Sequence, residues 1–127
     1  MNNILEYLER TAEKYPGRIA VEDDKEALTW KELADLSRRI GTAAGKRIAS
    51  GDPVVILAPK GPLTLAAMFG AVYGGGFYVN GEPALPPRRL KEIFRVLRPK
   101  LVLIRPEEIP LIRQAGYTGD YCLLHEA

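Results

Sequence analysis

Along the second half of the chain, short unbroken apolar runs alternate with segments whose apolar residues return at helical spacing. Val54-Val55-Ile56-Leu57-Ala58 is one such run, rich in β-branched residues. That is the pattern of a strand buried on both faces of a parallel sheet. Pro59-Lys60-Gly61 interrupts it, and Pro62 falls where the first turn of a helix tolerates a missing N–H. From Leu63 to Tyr73 the apolar residues Leu63, Leu65, Ala66, Ala67, Met68, Phe69, Ala71 and Val72 occupy nearly every side of the predicted helix. Such a helix is expected to be enclosed by protein on both sides. The run is too short and too broken by glycine to cross a bilayer. Gly74-Gly75-Gly76 stops it, Phe77-Tyr78-Val79 is the next predicted strand, and a loop is expected from Asn80 to Pro86.

The same reading extends to both ends. Ile4, Leu5, Leu8, Ala12 and Tyr15 form the apolar stripe of a first helix, which Asn2 or Asn3 is placed to cap and Pro16-Gly17 to end. Ile19 to Glu22 and Ala27 to Thr29 flank a polar turn and predict an antiparallel hairpin. Thr29-Trp30-Lys31-Glu32 has the spacing of a capping box. The helix after it should bury Leu33, Leu36, Ile40 and Ala44 and turn Arg38, Arg39, Lys46 and Arg47 to water. Pro87 opens a helix with Leu90, Ile93, Phe94 and Leu97 inward, and Leu101 to Ile104 is a second apolar strand. Pro106 to Ala115 reads as a short helix, Gly116 as its cap, and Tyr121 to Leu124 as the last strand. Tyr7, Tyr15, Trp30 and Tyr78 stand at positions a core would use. The expected fold class is α/β: an open, mostly parallel sheet flanked by helices, Rossmann-like, with an N-terminal helix and a short hairpin. Residues 1–127 are expected to form a single domain.

Composition changes this picture little. At 127 residues, 46% hydrophobic and 27% charged, the chain resembles an ordinary globular domain. A net charge of +2 is too small to argue for nucleic acid or an anionic membrane. Neither is expected as a partner. The single cysteine, Cys122, excludes an intrachain disulfide. No apolar leader segment precedes the first helix, so a cytoplasmic location is expected.

Candidate chemistry is sparse. Gly74-Gly75-Gly76 closes a helix instead of opening one, the wrong placement for a phosphate cradle, and is read as a cap and turn. Pro59-Lys60-Gly61-Pro62 follows a strand and opens a helix, where ligands of open α/β sheets sit. Lys60 is therefore a ligand-rim candidate, with a solvated loop charge as the commoner alternative. Asn80 and Glu82, at the end of the next strand, are candidates on the same ground. The basic stripe Arg88, Arg89, Lys91, Arg95 and Arg98 is read as a solvated helix face. Cys122 and His125 would point to opposite faces of a strand, so Cys122 is read as a buried, inert thiol. No catalytic residue and no metal ligand is assigned.

Three segments resemble a known family. Leu28-Thr29-Trp30-Lys31-Glu32-Leu33 is similar to the LTYxEL motif of adenylate-forming (AMP-binding) ligases, which include nonribosomal peptide synthetase adenylation domains and acyl-CoA synthetases. Phe69 to Val79 resembles the helix that runs into the family's AGGAYVPID motif. The opening, through Pro16 to Ile19-Ala20-Val21, matches the family's first helix, turn and strand. The resemblance covers nearly the whole chain in order. Val79-Asn80-Gly81-Glu82 departs from the family's VPID, which unsettles any role for that loop.

The resemblance implies a parent enzyme that activates an amino acid or other carboxylic acid with ATP and Mg²⁺. It also implies that the family's phosphate loop, ribose-binding acidic residue and catalytic lysine have no matching positions here. The expected function is thus an N-terminal scaffold fragment, truncated relative to the enzyme and without a cofactor of its own, whose partner is the remainder of the adenylation domain. The alternative is a stand-alone interaction module that associates, with itself or another protein, through apolar surface left uncovered. A small nucleotide-binding α/β protein is a third reading.

Overall fold

A computed structural model describes residues 4–81 and 83–124. The chain folds as α1 (Ile4–Lys14), β1 (Ile19–Glu22), β2 (Ala27–Thr29), α2 (Trp30–Gly45), β3 (Pro53–Leu57), α3 (Pro62–Tyr73), β4 (Phe77–Gly81), α4 (Pro87–Leu97), β5 (Leu101–Ile104), α5 (Ile109–Gln114) and β6 (Tyr121–Leu123). β1 and β2 pair antiparallel, with an irregularity in register between Ile19 and Val21. The other four strands form a wholly parallel sheet in the order β4-β3-β5-β6.

The unbroken apolar runs have a direct structural cause. On β3, Val54 and Ile56 enter one core while Val55 and Leu57 enter the other; on β5, Leu101 and Leu103 alternate in the same way with Val102 and Ile104. All eight are fully buried, so neither face of these strands tolerates a polar residue. The first core is closed by Leu8 of α1, Leu33, Ile40 and Ala44 of α2, and Ala66, Ala67 and Ala71 of α3. The second is closed by Leu90 and Phe94 of α4, Ile112 of α5, and Tyr117. The result is a sheet between two helical layers, as the sequence predicts.

α2 begins at the capping box: Thr29 Oγ1 accepts from the Glu32 N–H at 3.1 Å, and Glu32 Oε1 accepts from the Thr29 N–H at 2.9 Å. Two glycines let α2 and α3 approach closely. A Cβ on Gly70 would lie 2.5 Å from Ile40 Cγ2, and one on Gly41 would overlap Tyr73 Cβ. After α3 only Gly75 takes a left-handed conformation (φ 92°), so it alone of the triplet requires glycine for its backbone.

Several expectations are corrected. α3 is not enclosed on both sides. Its Ala66, Ala67, Gly70 and Ala71 face is buried, but Leu63, Leu65, Met68, Phe69 and Val72 are only partly buried, because α1, α2 and the sheet cover one side only. β4 runs through Asn80 to Gly81, since both pair in register with Ile56 and Leu57; the loop starts later. The helix expected from Pro106 to Ala115 is a 3₁₀ turn over Pro106–Glu108 followed by the shorter α5, in which Pro110 has no N–H to continue a ladder from the turn. β3 starts at Pro53 and stops at Leu57, one residue before Ala58, and β6 stops at Leu123. Tyr7, Tyr78 and Ile4 are exposed (65%, 38% and 52%), not core, because α1 and the edge strand β4 each bury only one side. Asn2, Asn3, Glu82 and His125 lie outside the described residues.

Candidate functional site

Parallel strands all present their carboxyl ends to one edge of a sheet. Where two neighbouring strands send their following helices to opposite faces, a crevice opens at that edge. Here the division falls between β3, whose helix α3 lies on one face and leads outward to β4, and β5, whose helix α5 lies on the other and leads outward to β6. A cavity of about 240 Å³ lies there, lined by Pro59, Lys60, Gly61, Leu63 and Thr64 after β3, by Arg105 after β5, and by the β1–β2 turn from Asp23 to Glu26.

Each wall has a local reason. Thr64 is buried and its hydroxyl donates to the Pro59 carbonyl at 2.5 Å, tying the first turn of α3 back to the end of β3. Asp23 Oδ1 accepts from the N–H groups of Lys25 and Glu26 at 2.9 and 2.8 Å, and these two bonds hold its carboxyl below the usual aspartate range. Its other oxygen lies 3.0 Å from where a Gly61 Cβ would stand, so a carboxylate of the chain itself meets the start of α3. That is a favourable place for negative charge. Arg105 is held by Glu108, with contacts of 3.0 and 3.4 Å, and by Glu107 at 3.4 Å. The hydrogen bond to Glu108, then the fields of both carboxylates, raise its pKa. Glu108 is 6% exposed, and the guanidinium is what satisfies it.

Of the predicted rim residues, Lys60 lines this crevice and is exposed at its mouth. Asn80 does not line it. It sits exposed at the end of the edge strand, its amide 3.8 Å from Met68 Sδ, and so is not brought together with Lys60. Arg105 and Asp23 escaped the sequence reading. Arg105 directly follows an apolar strand, as Lys60 closely follows another that ends at Leu57, and that parallel was a usable signal. Asp23 had none, since only the fold brings the hairpin turn to α3.

The crevice carries Lys60, Lys25 and Arg105 against Asp23, Asp24 and Glu26. Its charges largely answer one another, and among the described residues no nucleophile is paired with a base in it. Among the described residues no group of three His, Cys, Asp or Glu side chains is placed to hold a metal ion. With Asp23 at the start of α3 and the triple glycine closing that helix, the described residues do not fit a triphosphate or its Mg²⁺. No step through either is derived. Cys122 is half-buried rather than enclosed, with Arg47 Nη1 against its Sγ; burial pushes its thiol upward and the Arg47 charge opposes this.

A second cluster locks the helices of the first layer. Tyr73 of α3 and Arg38 of α2 both donate to Glu9 Oε1 of α1, at 2.8 and 3.3 Å, and Arg38 also pairs with Asp35 at 2.9 Å. Arg38 therefore does more than face water. The Tyr73 bond, then the Arg38 bond, lowers the Glu9 carboxyl; burial and the Glu9 contact push Tyr73 up to about 12.

A family model described as "AMP-binding enzyme" matches residues 8–121. An isonitrile lipopeptide synthase of Streptomyces coeruleorubidus is 33% identical over 91 residues, 68% of this chain and 6% of that protein. A D-alanine–D-alanyl carrier protein ligase of Staphylococcus aureus is 28% identical over 108 residues, 85% of this chain and 22% of that one. Among solved structures, VinN in complex with 3-methylaspartate superposes with a TM-score of 0.85, covering 94% of this chain and 34% of VinN; at 24% identity this shows the fold alone. The chain thus spans about a third or less of each protein it matches. Among the described residues no helix is long and apolar enough to cross a membrane.

Proposed function

The chain belongs to the AMP-binding enzyme family, and we propose that it is the N-terminal framework of an ATP-dependent ligase that activates a carboxylic or amino acid as its acyl-adenylate. On this reading it builds a parallel sheet and two helical layers for the enzyme but holds neither ATP nor Mg²⁺, which belong to the rest of the adenylation domain. The observation that supports it most is positional. The segment resembling LTYxEL forms the end of β2 and the capping box of α2, and the segment resembling the AGGAYVPID approach forms the end of α3, its turn and β4. Both sit on the α2–α3 contact and the edge strand that scaffold the first layer.

The partner on this reading is the remainder of the domain. The supporting surface is the partly buried side of α3 together with Phe77 and Tyr78 of β4, 47% and 38% exposed. Exposed aromatic side chains on an edge strand are what an association surface would use. One relative matched in sequence is a D-alanine–D-alanyl carrier protein ligase, which supports an amino acid as one substrate class.

Two measurements test the reading. The isolated chain should give no carboxylate-dependent ATP–pyrophosphate exchange with a panel of amino and aryl acids, and no thermal stabilisation by ATP or AMP. Exchange above background overturns it. Light scattering separates the two partners: a monomer across concentrations favours the remainder of the domain, and a dimer favours self-association.

A further inference from the structure

We propose that the open groove between α4 and the α5–β6 loop is a docking seat for an acidic amphipathic helix of a partner protein. The groove, about 500 Å³, lies at the amino end of the sheet, opposite the crevice described above, and the inference does not rest on carboxylate activation. It is lined by Lys91, Arg95, Arg98 and Lys100, with Phe94, Ala115 and Tyr117 beneath, and no carboxylate of a described residue lines it. The chain as a whole carries 18 cations and 16 anions, so four exposed cations without an acidic neighbour in the lining are a marked local asymmetry. None of the four forms an ion pair with a described residue.

The geometry selects the kind of partner. Lys91 and Arg95 stand at i and i+4 on α4, a ridge that rises about 6 Å along the helix, and Arg98, the left-handed C-cap just past Leu97, borders the same groove. Glutamates at the same spacing on a facing helix meet that ridge one for one. The α4 C-terminus accounts for part of the basic charge, since cations there oppose the helix dipole. It does not account for Lys91, two turns earlier, or for Lys100 beyond the cap. A nucleic acid strand fits less well. Phe94 and Tyr117 lie against each other with centroids 5.2 Å apart and are 7% and 9% exposed, so neither offers a face for a base to stack on.

The test uses the full chain, a fluorescent amphipathic peptide with glutamates at i and i+4, the same peptide with glutamines, and a labelled oligothymidylate, all read by anisotropy at low and rising salt. The acidic peptide should bind saturably, weaken as salt rises, and exceed the glutamine peptide. Lys91→Gln with Arg95→Gln should weaken it about fivefold or more. Arg39→Gln with Lys46→Gln, which removes the same charge elsewhere, should leave binding unchanged, with circular dichroism confirming that both variants fold. Absence of saturable binding, equal loss in the two variants, or tighter binding of the oligothymidylate overturns the proposal.

Discussion

The hydroxyl of Tyr73, near the end of α3, donates to Glu9 Oε1 on α1 across 64 positions of sequence, at 2.8 Å. Arg38 reaches the same oxygen from α2, so one carboxylate ties three helices. Replacing Tyr73 by Phe removes one arm and keeps the ring. With Glu9 half-exposed, the loss should be small, about 0.5–1 kcal/mol, measured as a lower urea midpoint with an unchanged slope.

The same pair sets pH limits. Tyr73 is raised from 10.0 to about 12, so its contribution is complete below pH 10 and disappears as pH climbs towards 12. Tyr117, raised to about 12 chiefly by burial, adds to the loss in the same window. Glu9 works in the other direction: its lowered pKa gives stability above the ordinary 4.5 that is lost as pH falls below it. Thermal melts between pH 9 and 12 should therefore fall steeply for the natural chain and less steeply for Tyr73→Phe with Tyr117→Phe.

At the start of α2, Thr29→Ala removes the side-chain acceptor for the Glu32 N–H. A loss of about 1 kcal/mol is expected. Thr29→Ser should restore most of it, because serine keeps the oxygen. Chemical denaturation of the two variants side by side distinguishes the cap from the loss of a methyl group.

Gly70→Ala should destabilise in spite of alanine's better helix propensity. The propensity gain is about 1 kcal/mol, but the new Cβ would meet Ile40 at 2.5 and 2.7 Å, on a buried helix face. Overpacking of that kind costs about 1–3 kcal/mol, and forcing α2 and α3 apart puts this site at the upper end. Gly45→Ala is the control: its Cβ would meet only Gly74 at an ordinary 3.6 Å, so it should be neutral or mildly stabilising.

Arg105→Gln leaves Glu108, 6% exposed, without its guanidinium. A loss of about 1–3 kcal/mol is expected. Adding Glu108→Gln should recover part of it, a double-mutant cycle that reads their coupling directly. Little recovery would mean that Arg105 acts mainly through packing in the crevice wall.

Much of this molecule could be read along the chain. Val54 to Leu57 and Leu101 to Ile104 declared a buried parallel sheet because every position in them is apolar, and Thr29-x-x-Glu32 declared a helix start because the box is closed within four residues. The misreadings share a cause. Tyr7 and Tyr78 look like core residues, but whether an aromatic is covered depends on which element passes over it. α3 looks enclosed because its own sequence is apolar all round, yet α1, α2 and the sheet cover only one side of it among the described residues. Lys60 was legible because it follows a strand's end closely; Asp23, in the same crevice, was not.

Local spacing by itself determined the kind and order of elements, the two-sided burial of β3 and β5, and the motifs that resemble the family. These are decided by residues within a turn or two of one another, where periodicity is a direct readout of which side faces water. Only the tertiary structure decided that the strands lie in the order β4-β3-β5-β6, and hence that Asp23 meets α3, that Glu9 joins Tyr73 and Arg38, and that Lys91, Arg95, Arg98 and Lys100 border one groove. Those contacts join residues far apart in sequence, and they exist because burying both faces of a central sheet forces distant helices to share its two sides.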